Sequence, residues 1–138
     1  KAIGVSNFNA SRYEAFLRAC TVIPAVNQVE AHIFFQQRGL LEEMKKHGTH
    51  MQAWSPFAAG KNDFFSNPVL RALGLAHNKT PAQTALKYLV QLGISVIPKS
   101  SHRERMRENL GIFDFQLPDE DMQRIRALDG GKTLFGWY

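Results

Sequence analysis

The sequence predicts an α/β fold, residues 1–138 forming a single domain in which short strands alternate with helices around a parallel sheet. Four short apolar segments each lead into a stretch whose apolar residues recur at helical spacing. Polar or aromatic residues follow these segments, so functional side chains are expected to collect where the strands end. Since a closed (β/α)8 barrel needs about 250 residues, the 138 residues of this chain amount to one half of a barrel.

The predicted strands are short and lie between turn residues. They cover residues 2–5, 22–29, 51–54 and 94–97. The fourth is the most clearly bounded, because Gly93 precedes it and Pro98 follows it. A loop-like composition from residue 57 to about residue 66 separates the third strand from the helices that follow.

Helix starts are predicted where a Ser or Thr precedes a Glu or Gln by three residues. This capping-box pattern occurs at Ser11–Glu14, Thr80–Gln83 and Ser101–Glu104. Pro81 strengthens the second of them, since proline is favoured at the first helical position. The third opens a helix with an apolar face formed by Met106, Leu110 and Phe113. We expect this face to lie in the core.

Composition and charge are those of a globular protein with one core. Hydrophobic residues make up 44% of the chain and charged residues 21%, and no apolar run approaches the ~20 residues that span a bilayer. The net charge of +5 does not indicate nucleic-acid binding, because the basic residues are spread out without interleaved aromatic residues. Cys20 is the only cysteine, which excludes an intrachain disulfide and favours a reducing, cytoplasmic setting.

The turn between the fourth strand and the next helix has the composition of an anion site. Three residues that suit a phosphate stand at the predicted helix start: Lys99, Ser100 and Ser101. Arg105 lies on the same helical face, and Glu108 and Asn109 behind it are placed to hydrogen-bond a planar heterocycle such as adenine. On spacing alone, an ordinary capped helix with solvated charges explains these residues equally well.

Four segments resemble signature motifs of the aldo-keto reductases, in the family's order. They are Lys1-Ala2-Ile3-Gly4-Val5-Ser6-Asn7-Phe8, Asn27-Gln28-Val29-Glu30, Ala53-Trp54-Ser55-Pro56, and Ile97-Pro98-Lys99-Ser100 with Arg105 and Glu108-Asn109 at their spacings. The resemblance covers essentially the whole chain and implies the C-terminal half of a (β/α)8 TIM barrel, strands 5 to 8 with their helices. It also implies NADPH-dependent reduction of aldehydes or ketones to alcohols by hydride transfer.

The resemblance implies a role for each matching residue. The nicotinamide carboxamide would be hydrogen-bonded by Ser6, Asn7 and Gln28, and the nicotinamide ring would stack on Trp54. The adenosine end would contact Lys99, Ser100 and Arg105 through its 2′-phosphate, and Glu108 and Asn109 through adenine. Ser101 and the corner Ser55-Pro56-Phe57 complete the predicted NADP(H) site.

One departure from the family affects the pyrophosphate. Many members carry Gly followed by Ser or Gln after the Ser-Pro-Leu corner, whereas this chain has Phe57-Ala58-Ala59. We therefore expect backbone N–H groups and Lys61 to replace a side-chain hydroxyl there.

The family's acid–base group, a Tyr supported by Lys, His and Asp, belongs to the half that this chain does not match. Tyr13, Tyr88 and Tyr138 match no catalytic motif, so no catalytic residue is assigned. The segment from Leu134 to Tyr138 resembles the start of the substrate-pocket loop. His32 is interpreted as structural and the other four histidines as surface residues, without a metal site.

Two other functions remain open. The chain could belong to a non-catalytic relative that binds NADPH for regulation, like the potassium-channel subunits of this superfamily, or to an inactive fragment. It could also be a half-barrel that binds nucleotides by itself. The first alternative depends on whether a Tyr, Lys, His and Asp constellation accompanies the chain.

The half-barrel prediction has a consequence for association. We expect the inner face of the sheet to expose apolar side chains such as Val5, Val29 and Ile97 between two open sheet edges. The chain would therefore pair with the other half of a barrel or with a second copy of itself. A small-molecule carbonyl substrate and a monomeric full-length enzyme follow from the resemblance.

Overall fold

A computed structural model describes residues 1–137 of the chain. Four strands alternate with helices: β1 (Gly4–Ser6), α1 (Ala10–Ala19), β2 (Val26–Glu30), α2 (Arg38–Lys46), β3 (His50–Trp54), α3 (Pro68–Ala76), α4 (Pro81–Gln91), β4 (Ser95–Val96), α5 (Arg103–Leu110) and α6 (Asp119–Arg126). Two 3-10 turns, Ala58–Gly60 and Phe64–Ser66, lie between β3 and α3. No helix within residues 1–137 is long and apolar enough to cross a membrane.

All strand pairs are parallel, and the strands stand in chain order, β1-β2-β3-β4. The register aligns Ser6 with Gln28, Gln28 with Gln52, and Gln52 with Ser95. Because every connection between parallel neighbours carries a helix, the carboxyl ends of all four strands meet at one edge. This confirms the predicted α/β class with a parallel sheet, although β1, β2 and β4 are shorter than predicted and β3 is one residue longer.

The hydrophobic core lies between the sheet and the helices. Val29 of β2 and Ala53 of β3 are fully buried there against side chains such as Met44 of α2 and Leu89 of α4. Two tyrosine hydroxyls also form hydrogen bonds inside this core. Tyr13 donates to Thr49 Oγ1 at 2.6 Å, and Tyr88 donates to Gln36 Oε1 at 2.6 Å.

The opposite face of the sheet is polar, which corrects the prediction for its side chains. Val29 is fully buried on the helix side, and Val5 is aligned with Asn27 on that same side. Side chains at the alternate positions face the other side of the sheet. There Gln28 Nε2 donates to Gln52 Oε1 at 2.6 Å, and His50 pairs with Ser95. Side chains alternate between the faces of a strand, so Val5 and Val29 were assigned to the wrong face, whereas Ile97, two residues after Ser95, is 43% exposed as expected.

The three predicted capping boxes had different outcomes. At Thr80 both reciprocal bonds are present, with Gln83 N donating to Thr80 Oγ1 and Thr80 N donating to Gln83 Oε1. The box at Ser11 is wrong, because α1 begins earlier and Asn9 Oδ1 accepts from Arg12 N instead. The box at Ser101 is also wrong, because His102 is the capping position and makes no side-chain capping bond.

The apolar face predicted for α5 is not in the core. Met106, Leu110 and Phe113 are 46%, 70% and 71% exposed. They line a groove of about 620 Å³ beside β4, whose outer edge carries no further strand among residues 1–137. The periodicity correctly identified an apolar face, but no other part of residues 1–137 covers it.

Candidate cofactor-binding site

Residues at the ends of β1 and β3 meet at the carboxyl edge of the sheet. Trp54 Nε1 donates to Asn7 Oδ1 at 2.7 Å across 47 residues of sequence. Asn7 adopts φ of 56°, a left-handed conformation in which asparagine is one of the better-tolerated residues. Its backbone N–H donates to the carbonyl of Gln28 at 2.8 Å, and the Ser6 hydroxyl donates to the same carbonyl at 3.1 Å. The four residues predicted to surround nicotinamide are thus neighbours.

The corner after β3 has an unusual backbone. Ser55, Ala58 and Ala59 all have φ between 50° and 52°, in the left-handed region that side chains with a Cβ adopt at an energetic cost. A cavity of about 330 Å³ lies against Ser55, Pro56 and Phe57 and extends to Lys99. The corner therefore joins the Trp54 end of the edge to the segment after β4.

A second cavity of about 260 Å³ contains most of the predicted adenosine-end residues. Lys99, Ser100 and Arg105 line it together with Glu108 and Asn109. Phe57 and Lys99 line both cavities, so the two cavities lie next to each other near the strand ends. Ser101 is exposed and does not line this cavity, and it does not cap α5, so the structure does not bring it together with the others.

The Glu108 carboxylate is held in place from α4. Thr80 Oγ1 donates to Glu108 Oε1 at 2.6 Å, and Gln83 Nε2 donates to the Glu108 carbonyl at 2.9 Å. The capping box of α4 therefore also holds the second turn of α5.

Phe65 is a candidate site residue that the sequence reasoning missed. Its ring is 52% exposed, lines the Lys99 cavity, and packs 5.6 Å from Phe57 and 5.2 Å from Phe64 between ring centroids. An exposed aromatic ring beside two cations offers a stacking surface for a planar base. The signal in the sequence was the pair Phe64-Phe65 inside an otherwise polar loop.

Glu30 and His32 form a buried polar pair behind the site. His32 Nε2 lies 3.0 Å from Glu30 Oε1, and both side chains are fully buried. Burial lowers the pKa of His32 below its ordinary value of 6.5, against the opposing hydrogen bond and charge of Glu30. His32 Nδ1 accepts from Phe34 N, so a neutral ring with its proton on Nε2 satisfies both contacts. The structural role predicted for His32 agrees with this.

The remaining titratable candidates are engaged elsewhere. Burial raises the pKa of Tyr88 to about 12, and Tyr13 is buried against Thr49, so neither hydroxyl reaches the strand-end edge. Tyr138 lies outside the described residues.

His77, predicted as a surface residue, is half-buried, and its Nε2 lies 2.7 Å from Asp121 Oδ2. In the described part of the chain, no three His, Cys, Asp or Glu side chains are grouped to hold a metal ion.

A sheet of consecutive parallel βα units, with polar and cationic residues at the carboxyl strand ends, defines an α/β protein of the βα-barrel class. The Aldo/keto reductase family profile matches residues 1–130, and the chain belongs to this family. It is 41% identical to the 9,11-endoperoxide prostaglandin H2 reductase of Trypanosoma cruzi, over 99% of this chain and 48% of that protein. It is 44% identical to aldose reductase B of Dictyostelium discoideum, over 94% of this chain and 42% of that protein.

Solved structures agree with this assignment. An aldo-keto reductase from a Medee basin deep-sea metagenome library superposes with a TM-score of 0.93 at 38% identity, over 97% of this chain and 50% of that one. A silkworm (Bombyx mori) aldo-keto reductase complexed with NADPH superposes with a TM-score of 0.87 at 38% identity, over 96% and 43%. The chain therefore spans about half the length of these relatives, and the predicted family and fold class are confirmed.

Proposed function

We propose that the chain supplies most of the NADP(H) site of an aldo-keto reductase that reduces aldehydes or ketones to alcohols. The observation that supports this best is the Lys99 cavity. It combines two cationic side chains, a hydroxyl, the Glu108 carboxylate and the Asn109 amide, next to the exposed Phe65 ring. Phosphate and a base with hydrogen-bonding edges are the groups that such a lining recognises.

The adenosine end fits this lining residue by residue. Lys99 and Arg105 would neutralise a 2′-phosphate, for which the planar guanidinium of arginine offers two donors at once. Glu108 would accept from an exocyclic amino group of adenine, and Asn109 would supply a donor and an acceptor. Phe65 would cover one face of the base.

The nicotinamide end would lie at Asn7, Gln28 and Trp54. An amide ligand needs a donor and an acceptor, which Asn and Gln side chains both provide. Trp54 would fix the ring face that meets the substrate. The cofactor supplies a hydride, and the chain's residues bind and orient the donor ring.

The proton that completes carbonyl reduction would come from outside residues 1–137. The described tyrosine hydroxyls are buried in the core, and burial raises the pKa of Tyr88 to about 12. The second candidate function is a regulatory relative that binds NADPH without turnover. NADPH oxidation in the presence of an aldehyde distinguishes the two, since only the reductase consumes the cofactor.

Arg105→Ala tests the proposed phosphate site. In the whole protein the substitution should weaken NADPH binding by about 1.5–3 kcal/mol, the size of a charge-assisted hydrogen bond, and leave NADH binding nearly unchanged. Fluorescence titration measures both constants. Arg107→Ala is the matched control, because Arg107 is exposed on the same helix and does not line the cavity. Equal losses for NADPH and NADH would contradict the assignment.

We further propose that the open sheet is covered by other βα units, either the remaining half of a barrel or a second copy of the chain. The two free edges, β1 and β4, and the exposed groove at α5 support this. A monomeric full-length enzyme, a small carbonyl substrate and the cytoplasmic setting inferred from the single cysteine stay predictions.

A further inference from the structure

The C-terminal strap, defined here as residues 133–137, lies on the ring predicted to stack with nicotinamide. The Trp137 ring centroid is 5.1 Å from that of Trp54, with an angle of 33° between the planes. Phe135 packs edge-on against the same indole at 5.3 Å. The strap therefore already makes the kind of aromatic contact on Trp54 that a nicotinamide ring would need.

Glu30 holds the start of the strap. Its buried carboxylate accepts from Leu134 N at 2.7 Å and from the Thr133 hydroxyl, in addition to the contact with His32. The Thr133 oxygen in turn accepts from Phe135 N at 3.2 Å and Gly136 N at 2.8 Å. Thr133 thus shapes the turn that carries the two aromatic rings and also ties that turn to β2.

Lys61 forms a second attachment. Its ammonium donates to the Leu134 carbonyl at 3.0 Å and lies 4.2 Å from the Phe135 ring centroid. This geometry departs from the pyrophosphate role that the sequence predicted for Lys61. The strap therefore contacts both the Trp54 ring and the Lys61 ammonium.

We propose that the strap is a gate on the nicotinamide end of the cofactor site, with Glu30 and Thr133 as the residues that position it. Trp137 occupies the contact on Trp54, so a nicotinamide ring binds only after the strap moves away. The adenosine end is independent of the gate, because no strap residue lines the Lys99 cavity. This inference rests on the proposed function.

Two ligands distinguish binding at the nicotinamide end, which the strap controls, from binding at the adenosine end, which it does not. NADPH carries the nicotinamide ring, whereas adenosine 2′,5′-bisphosphate carries only the phosphorylated adenosine. In the whole protein, Thr133→Val and Trp137→Ala should each tighten NADPH binding by roughly three- to tenfold, the factor that one aromatic contact supplies. Binding of the bisphosphate should not change. Thr133→Ser keeps the hydroxyl and should behave like the unsubstituted protein.

Weaker or unchanged NADPH binding in Thr133→Val and Trp137→Ala would overturn the gate, as would equal shifts for the two ligands. Failure of the bisphosphate to bind the unsubstituted protein would instead contradict the proposed function. The strap is then tested without cofactor in the whole protein, with Trp137 and any tryptophan outside residues 1–138 replaced by Phe, so that the emission comes from Trp54. Adding Thr133→Val should increase the quenching of Trp54 emission by acrylamide, and unchanged quenching would show that Thr133 does not hold the strap.

Discussion

His32 is a single residue whose protonation state should control the stability of the site region. Its ring is fully buried, and burial lowers its pKa in the folded chain below the ordinary value of 6.5. Glu30 and Asp129 oppose that shift by attraction, but the desolvation cost is larger. The folded state therefore prefers the neutral ring, whereas the unfolded chain takes up the proton as soon as the pH falls below about 6.5.

This predicts that the free energy of unfolding is at its full value above pH 6.5 and decreases as the pH falls through the lowered folded pKa. Urea unfolding at a series of pH values from about 5 to about 8 measures the effect. His32→Gln keeps a donor toward Glu30 but does not titrate, so its stability should depend less on pH in this range. Parallel pH curves for the two proteins would show that His32 is not the responsible group.

At the level of residues, the sequence predicted which residues line the site better than it predicted which side chains touch each other there. Lys99, Ser100 and Arg105 do line one cavity, since two neighbouring positions and the helix that follows them fix their placement. The contact between Trp54 and Trp137 spans 83 positions and depends on how the chain end folds back, which no local spacing encodes. Phe65 was missed for the same reason, because its exposure follows from the path of a loop.

At the scale of secondary structure, Thr80 connects two helices. Its oxygen accepts from Gln83 N to cap α4, and its hydroxyl donates to Glu108 of α5. Thr80→Ala removes both bonds and should lower the free energy of unfolding by about 1–2 kcal/mol, the range measured for lost N-caps. Urea denaturation measures this loss. Thr80→Ser preserves the hydroxyl and should retain most of the stability, so similar losses in both variants would argue against the capping role.

The helix starts also show where sequence patterns predict the capping residue correctly and where they do not. The Thr80 box was predicted correctly because Pro81 fixes the first helical position, leaving one choice of cap. At the first helix, Asn9 and Ser11 compete, and the structure uses Asn9. At the fifth helix, the capping position is His102 and not Ser101, so α5 begins one residue later than the box pattern assumed, and Ser100 Oγ accepts from His102 N.

On the scale of the whole chain, exposed apolar side chains collect at the two edges of the sheet. Ile3 is exposed just before β1, and Val22 and Ile23 are exposed in the connection between α1 and β2. Ile97 follows β4, and the α5 groove lies next to that strand. The inner face between these edges is polar, so the apolar surface that favours association lies at the seams where further strands would be added.

We therefore predict that the chain, expressed as residues 1–138, associates with itself or with complementary βα units and is not a stable monomer at micromolar concentration. Sedimentation velocity measures its mass in solution. The double substitution Leu110→Glu and Phe113→Glu places charges in the groove and should shift the chain toward the monomer. Leu75→Glu is the control, because Leu75 is 84% exposed on α3 and does not line the groove. A compact monomer of the unsubstituted chain without dye-accessible apolar surface would contradict the prediction, because both seams would then be stable in water.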